Sequence, residues 1–189
     1  MALKLITPAT ELAVRLADVK AHLRVDTTDE DTLITAYITA AAELAEQATG
    51  RALMPQTWEL TLDAFPEAFE ITRVPAASIT SLKYWDTAGD QQTLGTGLYT
   101  LDNTDDFGNA YVVPVYAGMW PVNRDQINAV ALRYVAGYAT AAAVPESIKA
   151  WIKLQVGAMY ENRQAEGAVQ TYALGFADRL LDRYKVWSV

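Results

Sequence analysis

The sequence has no cysteine and a single histidine, His22. Without thiols there can be no disulfide, thiol nucleophile or cysteine-bound metal, a composition suited to a reducing cytoplasm. With one imidazole, the usual Ser-His-Asp arrangements and zinc sites could draw only on His22, which lies among charged residues on a predicted short helix and reads as solvated or capping. Long apolar runs are missing as well. None approaches the roughly 20 residues needed to cross a bilayer, and the N-terminal M-A-L-K-L-I-T-P lacks the apolar centre of a signal peptide, so a soluble, unprocessed chain is expected. Basic residues are few and scattered: 15 Lys and Arg stand against 23 Asp and Glu, a net charge of −8. Tight phosphate binding needs a surplus of positive charge on one face, so wrapping of nucleic acid is disfavoured. Phosphate loops are absent too, because L-G-T-G-L has neither the later glycine nor the helix of a dinucleotide fingerprint.

What the chain does have is apolar content, 51% over 189 residues, enough for one sizeable core or two small ones. The spacing of Leu16, Val19 and Leu23 predicts a short amphipathic helix. A longer one follows, where Leu33, Ile34, Tyr37, Ile38, Ala41, Leu44, Ala45 and Ala48 recur at three- and four-residue intervals and Gly50 closes the helix. At roughly 21 residues it would be about 31 Å long. Ahead of it stand Asp26, Asp29, Glu30 and Asp31. A calcium loop starting at Asp26 would need glycine at its sixth position and a bidentate acid at its twelfth, and meets Asp31 and Tyr37. These acids therefore read as helix initiation, with Thr28 as N-cap and Asp31 as a short capping-box acid; on that reading Thr28→Ala costs about 1 kcal/mol.

From Thr57 the period changes to two. W-E-L-T-L, F-E-I-T-R-V, S-L-K-Y-W, Gln92–Leu94, Tyr99–Leu101, Tyr111–Val115 and V-A-L-R-Y-V are strand candidates, separated by turns such as Thr87-Ala88-Gly89-Asp90 and Asp105-Asp106-Phe107-Gly108-Asn109. Helix returns after Pro145, with Ile148, Trp151, Ile152, Val156 and Met159 as its stripe, and a short last helix carries Phe176, Leu180, Leu181 and Tyr184. The expected architecture is α+β: a small helical bundle made by the two chain ends, residues 1–56 and 140–189, with an antiparallel β unit, residues 57–139, inserted between them. Net charge is −3, +1 and −6 over those three segments in that order, so the β unit is the acidic part.

Acidic turns at Asp86, Asp90, Asp102, Asp105 and Asp106 could supply a carboxylate pair for glycoside hydrolysis, but no spacing selects one, and no constellation completes a catalytic site. No enzyme, cofactor or metal site is expected. Aromatic residues are dense in and around the β region: Trp58, Tyr84, Trp85, Tyr111, Tyr116, Trp120 and Tyr138. They read first as the large side chains of a small sheet core and, since so small a sheet could hardly bury all seven, also as a subunit interface; a small-ligand or carbohydrate-binding module is the alternative.

Several stretches, in order, resemble one family: L-A-D-V-K-A-H-L-R-V-D, D-E-D-T-L-I-T-A-Y-I-T-A-A-A-E-L-A-E-Q-A-T-G-R-A-L, Q-T-W-E-L, P-A-A-S-I-T-S-L-K-Y-W-D, L-R-Y-V-A-G-Y and V-P-E-S-I-K-A-W-I-K-L-Q-V-G-A-M-Y-E-N-R. Together, from about residue 8 to 185, they look like the long, prophage-type members of the tailed-phage head–tail connector (adaptor) family. Smaller connectors of that family are almost wholly helical, so the β unit is a departure. The resemblance implies a structural subunit of the virion head–tail junction, made in the bacterial cytoplasm and working without a cofactor or membrane. It further implies a homo-oligomeric ring, a dodecamer in the virion, between the portal protein and tail or stopper proteins, through which DNA passes without specific binding. Trp85, Tyr116, Trp120 and Tyr138, with Tyr160 and Arg163 from the Y-E-N-R run, are the candidate interface residues.

Overall fold

A computed structural model describes residues 1–106, 108–162 and 176–186. They group into two units. One comprises Met1–Ala9 and Pro55–Gly137 and holds all the strands; the other comprises Thr10–Met54 and the described residues from Tyr138 on, and holds the helices. The α+β architecture expected from the sequence is the one observed.

In the β unit, strands β1 (Ala2–Thr7), β2 (Gln56–Leu62), β4 (Ala76–Trp85), β5 (Gln91–Thr93) and β8 (Val130–Ala136) form an antiparallel sheet in the order β1-β2-β8-β4-β5. Strands β3 (Phe69–Ile71), β6 (Tyr99–Asp102) and β7 (Ala110–Pro114) form a second, in the order β3-β7-β6. All seven strand candidates are present. β8 is the central strand, and its alternation is strict: Val130, Leu132, Tyr134 and Ala136 are buried while Ala131, Arg133 and Val135 face the other way. Leu132 sits level with Leu60 on one side and Leu82 on the other, a row of three buried leucines across the sheet. Opposite-face residues pair too: Arg133 donates to the Glu59 carboxylate at 2.6 and 3.0 Å, directly across the β2–β8 ladder. β1 is an addition to the expected elements, since the first residues read only as an extended lead-in. Five of its six residues are exposed, so it buries too little to leave a period in the sequence.

The β4–β5 turn is held by Asp86. Its carboxylate accepts the backbone N–H groups of Ala88 (3.0 Å) and Asp90 (2.9 Å) and the Gln92 side-chain amide (2.8 Å), while Gly89 takes the left-handed φ of 95° that the turn requires. The Asp90 N–H and the Gln92 amide hold the Asp86 carboxyl below its ordinary value of 3.8. A depressed folded-state value stabilises the turn fully above that ordinary value and loses the effect as pH falls through the lower one. Amide exchange at Ala88 and Asp90 is therefore expected to quicken relative to the β2–β8 ladder only below about pH 3.8, and Asp86→Asn should remove that pH dependence.

The helical unit consists of α1 (Leu16–Leu23), α2 (Asp31–Thr49), α3 (Glu146–Glu161) and the single turn α4 (Arg179–Asp182). α2 is 19 residues long, slightly shorter than expected, and buries Ile34, Ile38, Ala41, Ala45 and Thr49. Leu44 and Ala48 of the predicted stripe lie on its exposed flank, and Leu33 and Tyr37 are half-buried. α3 follows Pro145 and buries Ile148, Trp151, Ile152 and Val156, with Met159 at the margin. In α4 Leu181 is buried, whereas Phe176 lies before the turn and is exposed. No described helix is long and apolar enough to cross a membrane.

Candidate interface

The acidic stretch before α2 does not work as a cap. Asp31 is the first helical residue, Glu30 stands at the N-cap without a side-chain cap bond, and Thr28 contributes only its carbonyl, to the Asp31 N–H at 3.2 Å. Two of the stretch's four carboxylates serve tertiary partners instead. Asp31 accepts from Lys20 of α1 at 2.5 Å, and Glu30 accepts the hydroxyl of Tyr160 near the end of α3. Each of these pins a neighbouring helix to the N-terminal end of α2, where the macrodipole also favours negative charge. With no side-chain bond to lose, Thr28→Ala should fall within about 0.5 kcal/mol of the parent, while Tyr160→Phe, which strips a half-buried carboxylate of a donor, should cost about 1 kcal/mol in chemical unfolding. Among the described residues no group of His, Asp and Glu could hold a metal ion.

The other end of α2 is closed as expected by Gly50, with φ 74° and its N–H on Glu46 O at 2.9 Å. The next four residues, Arg51, Ala52, Leu53 and Met54, are all buried. Arg51, 1% exposed, donates from Nε to the Tyr184 carbonyl at 2.8 Å, and the Val186 N–H donates to Thr49 O at 2.8 Å. Leu53 N–H meets the Glu46 carboxylate at 2.7 Å. The end of α2 is thus strapped to the residues that follow α4. A buried arginine with a backbone partner 133 positions away leaves no local trace in the sequence.

In the β unit the aromatic residues divide into those the fold consumes and those it presents. Trp120 stacks on Phe65 (centroids 5.2 Å apart, planes at 14°) and meets Phe69 edge-on at 5.3 Å. Phe65 also touches Tyr84 at 5.5 Å and Phe69 at 6.0 Å, so the cluster joins the five-stranded sheet to the three-stranded one. Trp58 lies under the Arg73 guanidinium, 5.2 Å from the ring centroid. Of the candidate interface residues, Trp85 at the end of β4 is half-buried, its backbone bonded to Ala129 and Arg124. Tyr138 is half-buried, Tyr160 is engaged with Glu30, and Arg163 lies outside the described residues. Tyr116 is fully exposed, at 102%. Trp85, Tyr116 and Trp120 belong to the β unit, and Tyr138 and Tyr160 to the helical one. His22, expected to be solvated, is exposed.

Tyr116 belongs to the β7–β8 loop, which also exposes Met119 (91%), Val122 (78%) and Ile127 (79%). The loop is built rather than slack. Gly118 N–H closes a turn on Val115 O at 2.7 Å, and Ala117 holds a left-handed φ of 59°. Asn123 and Asn128 both bond to Asp63, at 3.1 and 2.8 Å, and Trp120 anchors the middle. Sequence reasoning saw an aromatic surplus here without separating the anchor, Trp120, from the tip, Tyr116.

Residues 13–88 match the family described as phage gp6-like head-tail connector protein. No curated protein sequence matches the chain. Among solved structures, the chain shares its fold with a component of the neck of the empty gene transfer agent (GTA) particle computed with C6 symmetry. The TM-score is 0.81 at 25% identity, covering 100% of this chain and 97% of that one. A chain of the native GTA virion gives 0.79 at 24%, and one from the native neck computed with C12 symmetry gives 0.77 at 22%, both with the same coverage. The resemblance to the tailed-phage head–tail connector family is thus borne out, by the match over residues 13–88 and by a virion-neck fold shared along the whole chain, and together they support a structural connector role.

Proposed function

We propose that this protein is a ring-forming adaptor of the head–tail junction, seated below the portal of a phage or phage-like particle and lining the channel through which DNA passes. The observation that carries the reading is the full-length likeness to neck components, one of them from a neck computed with C12 symmetry. A closed ring requires a heterologous contact whose rotation closes, and about twelve copies would satisfy that symmetry. The net charge of −8 suits a conduit, because net negative charge limits the phosphate contacts that would grip a sliding polyanion. Tail or stopper proteins dock on the ring, and the subunit acts without turnover. Of the aromatic residues on which the small-ligand or carbohydrate-binding alternative would draw, Trp120 is already stacked on Phe65.

The test is to mix the protein with cognate portal or DNA-filled heads and image the vertex. A ring of about twelve copies around the channel axis is expected, and heads lacking the protein should lose DNA or fail to accept tails. Normal infectious yield from such heads, with no added density at the vertex, would falsify the assignment.

A further inference from the structure

We propose that the β7–β8 loop, through Tyr116 and Met119 at its tip, is a contact by which one copy of this chain engages the next. The inference rests on the ring reading above and adds the contact surface. Four large apolar side chains, Tyr116, Met119, Val122 and Ile127, are at least 78% exposed within one loop, a concentration that a soluble surface does not keep without a use. The loop that carries them is held by the Trp120–Phe65 stack, the Gly118–Val115 turn and the two bonds to Asp63. A pre-organised tip loses little entropy on docking, and the saving recurs at every contact around a ring. Ala117, in the chain between Tyr116 and Met119, holds a left-handed φ of 59°, costly for a residue with a Cβ.

Charge selects the occupant. Every copy carries −8, so copies brought side by side repel overall, and a contact made through an uncharged patch adds no like-charge pair of its own. Residues 107–123 are the longest stretch of the chain without a charged side chain, and they contain the tip. A basic partner would be met better by the acidic surface elsewhere on the β unit; a neutral apolar tip suits a second acidic copy. Because ring closure is heterologous, the tip meets a different patch on its neighbour and not another tip.

The absence of cysteine makes the test clean. Met119→Cys, labelled with a benzophenone maleimide, is assembled on cognate portal and irradiated. The expected product is a ladder of this chain cross-linked to itself, with mass spectrometry placing the acceptor outside residues 115–122. In parallel, the double variant Tyr116→Asp, Met119→Asp should melt as the parent does, since these side chains are almost wholly exposed, yet should weaken each copy-to-copy contact roughly tenfold or more and lose the ring. Cross-links only to portal or another protein, tip-to-tip cross-links, no cross-link in rings that form, or normal rings from the double variant each overturn this inference and leave the ring reading standing. Failure of the unaltered chain to form a ring on its portal overturns both.

Discussion

Replacing Arg51 with alanine is expected to cost about 3 kcal/mol or more, a large share of the marginal stability of a domain of this size. The guanidinium is 1% exposed and donates to the Tyr184 carbonyl, in a chain segment where residues 51–54 are all buried. Truncation leaves that carbonyl without its charged donor and opens a cavity the size of a long side chain, and both effects act in one direction. The position also matters electrostatically, because a cation just beyond the end of α2 meets the negative end of its macrodipole. Urea unfolding followed by circular dichroism measures the loss. Amide exchange at Val186, whose N–H bonds to Thr49 O, reports whether the strap has come loose. A loss below about 1 kcal/mol, with Val186 still protected, would mean that other contacts hold residues 184–186 in place.

Trp120→Ala should be the most damaging single change in the β unit outside the sheet rows, at about 2–3 kcal/mol. It deletes the stack on Phe65 and the edge contact on Phe69, two of the interactions that fasten the β7–β8 loop. Trp120→Phe should recover part of the loss, since a smaller ring can still stack, though it cannot supply the Nε1 donor that reaches the Glu67 carbonyl at 3.4 Å. Thermal unfolding gives the cost, and tryptophan fluorescence is a poor substitute because four other tryptophans remain. If alanine is tolerated within about 0.5 kcal/mol, the loop is held by Asp63 and its turn alone.

How much of this was legible in the sequence depended on the range of the interaction. Period-two alternation in W-E-L-T-L and V-A-L-R-Y-V reflects burial on one face of a strand, a local record, and those strands lie where expected. The stripes on α2 and α3 are local for the same reason. β1 was illegible because an edge strand that stays exposed writes no such record. Thr28 is not the cap because the helix starts at Asp31 with Glu30 at the N-cap position, and the acids there are held by Lys20 and by Tyr160, the latter from 130 positions away. Arg51 was invisible for a related reason: a buried arginine looks like any surface arginine until its carbonyl partner is placed. In the candidate interface, residue type pointed correctly to an aromatic excess. Only the coordinates separate Trp120, spent on holding the loop, from Tyr116, left free at its tip.

The pairing of β2 with β8 has a consequence for how such a chain can diversify. Gln56 stands directly opposite Ala136, so the strand that carries the chain into the sheet and the strand that carries it out begin and end side by side, about 5 Å apart. For the helices on either side, some eighty intervening residues amount to the span of a tight hairpin. A lineage could lengthen, shorten or exchange the loops between those two strands without moving the points where β2 begins and β8 ends. The pair β2–β8 is in that sense a socket, and the loops beyond it are the interchangeable part.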